Sequence, residues 1–74
     1  MNLPVVSGRE AARAFEKDGW VVARQRGSHI VMTKDGSAAN LSIPDHKELD
    51  RGLLRSLIRR AGLEVEEFIK LLGK

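Results

Sequence analysis

Between Trp20 and Pro44 the chain reverses twice at glycine. Gly27-Ser28 separates the run Trp20 to Arg26 from the run His29 to Lys34, and Asp35-Gly36 separates the latter from Ala38 to Ile43. Each run is short and rich in residues that favour strands, among them Trp20, Val21, Val22, Ile30, Val31, Leu41 and Ile43. Turns this tight can join only antiparallel neighbours, since a parallel pair needs a long crossover. The expected core is therefore a three-stranded antiparallel meander, strands in chain order. Pro44 is expected to end the third strand, because proline has no N–H for the ladder. On the middle strand Ile30 and Met32 point one way, and His29, Val31 and Thr33 the other. The second set is the more polar, so His29 is expected on the open side of the sheet or at its edge.

Helices flank this segment. Ser7-Gly8-Arg9-Glu10 reads as a capping box, with Ala11, Ala12 and Phe15 following at helical spacing and Gly19 as the stop. A first helix is expected from about Ser7 to Asp18. Asp45 to Asp50 is a polar connection carrying His46. A second helix follows, with Leu53, Leu54, Leu57, Ile58 and Ala61 as its apolar stripe and Gly62 as its cap. Arg51, Arg55 and Arg59 recur every fourth residue on another face of it. Glu64 to Leu72 forms a short terminal helix with Val65, Phe68, Ile69 and Leu72 inward, its early glutamates suiting the helix dipole. The order α-β-β-β-α plus a C-terminal helix belongs to the α+β class, with helices covering one face of the sheet.

A chain of 74 residues with 42% hydrophobic residues supports a single core, so residues 1–74 are expected to form one domain. Its three aromatics, Phe15, Trp20 and Phe68, are expected to be buried. There is no cysteine, which excludes a disulfide framework and a cysteine-ligated zinc site. No stretch approaches the ~20 apolar residues of a membrane span. Met1 to Val6 carries no basic or long apolar segment, so no signal peptide is expected there and the cytoplasm is the expected compartment. The net charge of +3 favours a polyanionic partner, either nucleic acid or an acidic protein.

The residues that carry chemistry centre on Gln25-Arg26-Gly27-Ser28-His29. A titratable imidazole stands beside a flexible turn rich in N–H donors, with Arg24, Arg26 and Lys34 close in sequence. That combination suits a phosphodiester, though on these residues alone the plainer reading is an ordinary surface histidine at a strand start. His46 reads either as a residue ordering the entry to the second helix or as a second proton carrier. Lys47, Arg51 and Arg55 join Arg24, Arg26 and Lys34 as candidate contacts to the phosphates of a nucleic-acid backbone, though each alone also reads as part of a solvated face. Asp45, Glu48 and Asp50 fit no metal cage by spacing, and neither metal nor cofactor is expected.

Taken together, Ser7-Gly8-Arg9-Glu10, Gly19-Trp20, Arg24-Gln25, Gly27-Ser28-His29, Ile43-Pro44-Asp45-His46, Lys47-Glu48-Leu49, Gly52 and Ala61-Gly62-Leu63 resemble the HicA family of bacterial and archaeal toxins. The resemblance spans nearly the whole chain. It implies a fold similar to double-stranded-RNA-binding domains and the activity of an mRNA interferase, an endoribonuclease that cleaves mRNA and arrests growth. It implies a HicB antitoxin as the inhibitory partner, with the toxin monomeric when free and hetero-oligomeric in the complex. It also implies that His29 is the catalytic residue; Gly27 and Ser28, whose turn lets a phosphate approach the backbone, and His46 are its candidate supports. Leu53 and Glu64 depart from residues common in the family, threonine after the glycine of the second helix and Ser or Thr at the start of the last helix. The first departure passes helix capping to Asp50.

Cleavage through the ribose 2′-hydroxyl requires a base, an acid and cations around the phosphorane, and no metal. Histidine suits either proton role, its unperturbed pKa of ~6.5 lying near neutral pH. A non-catalytic double-stranded-RNA-binding module of the same fold is the alternative, with the arginine ridge spanning phosphates. A weaker alternative is an interaction domain whose basic face meets only an acidic protein.

Overall fold

A computed structural model describes residues 3–73; Met1, Asn2 and Lys74, which the expected domain includes, lie outside them. The elements run α1 (Gly8–Lys17), β1 (Val21–Arg26), β2 (His29–Thr33), β3 (Leu41–Pro44), α2 (Arg51–Arg60) and α3 (Val65–Leu72). The three strands form one antiparallel sheet in the order β1-β2-β3.

Local chemistry sets the helix ends. Ser7 Oγ accepts from the Glu10 N–H at 3.0 Å, and the Glu10 carboxylate accepts from the Ser7 N–H at 2.9 Å, which is the expected capping box. Asp50 caps α2 by accepting from the Leu53 N–H at 3.0 Å. Glu67 reaches back to the Glu64 N–H at 2.9 Å at the start of α3.

The sheet differs from expectation at its second reversal. Asp35-Gly36 does not form a two-residue hairpin, and β3 begins at Leu41 rather than Ala38. Ser37 donates its N–H to the Lys34 carbonyl, and of the two central residues only Gly36 has positive φ, at 83°. That pattern is a type II turn, whose twist splays strands apart, so Ser37 to Asn40 bridge the gap before pairing resumes. Pro44 is the last residue of β3, so the strand ends there as expected, with the proline itself in register with His29. An edge strand tolerates this, because a proline there need not donate to a neighbour.

Ile30, Met32, Leu41 and Ile43 share the inner face and are buried together with Phe15, Trp20, Leu54, Ile58 and Phe68. All three aromatics are at most 1% exposed, as expected, and the rings of Phe15 and Phe68 lie 5.0 Å apart, tilted by 45°. α1 packs on all three strands, α2 stands against β3, and α3 docks on α1 and α2 rather than on the sheet. The opposite face of the sheet is open around His29 and is bordered on the β3 side by α2.

Candidate functional site around the histidine hairpin

The β1–β2 hairpin turns through Gly27 and Ser28 alone, because Arg26 and His29 are already paired across the ladder. Gly27 has φ of 57° and Ser28 does not have positive φ, which fits a type II′ turn with glycine first. His29 is exposed while Ile30 beside it is buried, so alternation directs the imidazole to the open face. Cross-strand partners share a face with Cβ atoms about 5 Å apart. Arg26 and Pro44 therefore flank His29, and Arg24 flanks Val31 one pair further along. Among the described residues the His29 side chain has no hydrogen-bond or ionic partner, so its ring nitrogens are free to meet a ligand.

Asp45 holds this hairpin from behind. Its backbone N–H donates to the Ser28 carbonyl at 2.6 Å, extending the β2–β3 ladder one residue past Pro44. Its carboxylate accepts from Arg9 Nε at 3.2 Å and Nη2 at 3.4 Å, and from Gln25 Nε2 at 3.3 Å. One residue thus connects α1, β1 and the turn. Gly8 makes the approach possible: a Cβ there would run into the Pro44 carbonyl oxygen. Its N–H donates to the His46 carbonyl at 2.9 Å, so His46 contributes its backbone to this junction while its side chain is exposed. Sequence reasoning passed over Arg9 and Asp45 as site residues. The signal is the Pro44-Asp45-His46 run, where Asp45 reads as one acid of a polar connection rather than as a support.

The other candidates separate into groups. His46 and Lys47 border a hollow of about 300 Å³ with Ser7, Arg9 and Asp45, at the start of α1. Arg51 and Arg55 are exposed on α2. Lys34 lies past the far end of β2 from His29. It pairs with Asp18 at 3.2 Å and sits 6.0 Å over the Trp20 ring, so its charge is engaged with the fold. Among the described residues no group of three or more His, Cys, Asp or Glu side chains could hold a metal ion. No helix among them is long and apolar enough to cross a membrane.

The fold and its hairpin define an α+β domain with an open basic sheet face that presents the exposed imidazole of His29. Residues 8–63 match the family described as the HicA toxin of bacterial toxin-antitoxin. The chain belongs to the HicA toxin family. It is also similar to a solved chain of a toxin–antitoxin complex from Streptococcus pneumoniae, with 32% identity and a TM-score of 0.70, covering 78% of this chain and 98% of that one. No curated protein matches the sequence.

Proposed function

We propose that this protein is the toxin of a toxin–antitoxin pair, a metal-independent endoribonuclease that cleaves mRNA in the cytoplasm through His29 and thereby arrests growth. The observation that carries the reading is the presentation of His29. Its imidazole is exposed and has no partner among the described residues, and it stands beside Arg26 on the open face, on a turn held by Asp45. A phosphodiester resting on that face meets a proton carrier at His29 and guanidinium groups at Arg26 and Arg24. Gly27 has no side chain and nothing within 4 Å of where one would be, so a phosphate has room to approach the turn backbone.

In this mechanism the 2′-hydroxyl of the cleaved nucleotide loses its proton and attacks the adjacent phosphorus. The 5′-oxygen of the next nucleotide leaves with a proton, and a 2′,3′-cyclic phosphate remains. His29 exchanges one of these protons, and the arginines stabilise the charge on the phosphorane. Gly27 and Ser28 shape the turn, while His46, Lys47, Arg51 and Arg55 extend the basic surface along the bound strand. A HicB-like antitoxin, supported by the toxin–antitoxin neighbour, silences the enzyme by covering His29 and meeting the basic face with acidic groups.

The exposed arginines Arg51, Arg55 and Arg59 of α2, which have no partner among the described residues, also suit a non-catalytic double-stranded-RNA binder. A His29→Ala variant separates the two. Loss of cleavage and toxicity with RNA and antitoxin binding retained supports the nuclease. Unchanged cellular effect in that variant supports the binder.

A further inference from the structure

A groove of about 710 Å³ opens between the outer face of the sheet and α2. Its apolar walls come from Val31 on β2 and Leu53 on α2, and hydroxyls face it from Ser42 and Ser56. Arg59 and Arg60 stand at its border, and no acidic residue lines it. Two of these groups are fixed. Arg60 Nε donates to the Asn40 carbonyl at 2.8 Å, which orients its guanidinium, and Ser56 Oγ donates to the Gly52 carbonyl at 3.1 Å, which leaves that oxygen an acceptor. Arg59 is exposed and has no ionic or hydrogen-bond partner among the described residues.

The groove begins where the His29 site ends. Val31 is two residues from His29 on the same face of β2, about 6.6 Å at the usual strand rise. The adjoining nucleotide of a strand whose phosphate lies at His29 therefore arrives at Val31. Apolar walls with a few fixed polar groups suit a flat heteroaromatic ring. An arginine border without acids suits the phosphate beside that ring. A base stacked in a duplex cannot enter without being unstacked, which costs a few kcal/mol.

We propose that this groove seats one unpaired nucleobase of the RNA, next to the bond addressed by His29, with the flanking phosphate on Arg59. The assignment rests on the nuclease reading above, and it makes single-stranded RNA the substrate and the groove its selectivity element.

The test is a scan of a single-stranded oligoribonucleotide with an abasic residue placed in turn on each side of the cleaved bond. Wild type, Ser42→Tyr and Arg59→Gln are compared, with folding checked by thermal melting. The expected result is a loss of tenfold or more in kcat/KM at one flanking position with wild type. Ser42→Tyr, which fills the groove, should cleave the intact strand about as poorly and no longer register the abasic residue. Arg59→Gln should raise KM with little change in kcat. If Ser42→Tyr fails to fold, the wild-type scan and Arg59→Gln decide the matter alone. Cleavage indifferent to every abasic position overturns the groove assignment and leaves the nuclease reading standing. So do variants that cleave normally but bind the antitoxin more weakly, since the groove would then be a protein-docking site. Failure of wild type to cleave any RNA overturns both.

Discussion

The N–H of Asp45 and the carbonyl of Ser28 meet at 2.6 Å, one residue beyond the last strand pair. That bond fixes the turn carrying His29 to the segment entering α2, and the Asp45 carboxylate fixes the same segment to Arg9 and Gln25. Asp45→Ala keeps the backbone bond and removes only the carboxylate contacts. The Arg9–Asp45 pair is largely solvated on the arginine side, so the stability loss is expected to stay within about 1 kcal/mol by chemical denaturation. Cleavage is expected to fall much further, about tenfold to a hundredfold, because small misplacements of a reacting group are costly. A loss of activity no larger than the stability loss explains would show that the carboxylate does not position the turn.

Gly8 and Gly27 should fail in different ways. Gly8→Ala drives a methyl into the Pro44 carbonyl, so α1 or the Pro44-Asp45 segment must shift. Overpacking of this kind costs about 1–3 kcal/mol. Gly27→Ala meets no neighbour and suffers only from its φ of 57°, a cost of about 1–2 kcal/mol. Melting curves of the two variants, with cleavage assayed well below each midpoint, check this. Gly8→Ala should remain impaired in cleavage even where it is folded.

The family match ends at residue 63, before α3, yet Phe68 is fully buried against Phe15. Phe68→Ala is expected to cost about 3–5 kcal/mol. For a chain of this length total stability is about 4–11 kcal/mol, so the variant should lose a large share of it and melt well below wild type. A midpoint close to wild type would show that α3 is dispensable.

Much of this arrangement was legible in the residues. Ser7 and Glu10 announce the start of α1, Gly27-Ser28 the first hairpin, and the alternation of Ile30 and Met32 against His29 the open face. These signals are local, and local geometry decides them. What escaped depended on partners distant in sequence. Asp45 acquires its role only because Gly8 lets α1 close on Pro44, which brings Arg9 to Asp45, 36 residues further along the chain. Lys34 looked close to His29 in sequence, but the strand between them carries it to the other end of the sheet, where Asp18 holds it. The Asp35-Gly36 reversal departs from the expected hairpin because its positive φ falls on the second central residue, a type II turn that splays the strands, whereas at Gly27-Ser28 it falls on the first.

The separation of charges makes a prediction about salt. Arg55→Gln should weaken RNA binding about equally across sequences and reduce the salt dependence of binding by about 0.7, the share of one single-strand phosphate contact. Arg26→Gln, beside His29, should lower kcat as well. Lys34→Gln should leave the salt dependence unchanged and cost at most about 1 kcal/mol of stability through the lost Asp18 pair. Titrations of labelled oligoribonucleotide at several salt concentrations separate the three variants.

The most direct measurement is cleavage of an oligoribonucleotide in excess EDTA by wild type and His29→Ala, with both product ends identified. The same oligonucleotide carrying a 2′-deoxy residue at the cleaved position serves as the control. Wild type is expected to cut the all-RNA strand, leaving a 2′,3′-cyclic phosphate and a 5′-hydroxyl, and to leave the 2′-deoxy position intact. His29→Ala should bind both strands and cut neither. Undiminished cleavage by His29→Ala would contradict this, as would cleavage that needs magnesium and leaves a 5′-phosphate.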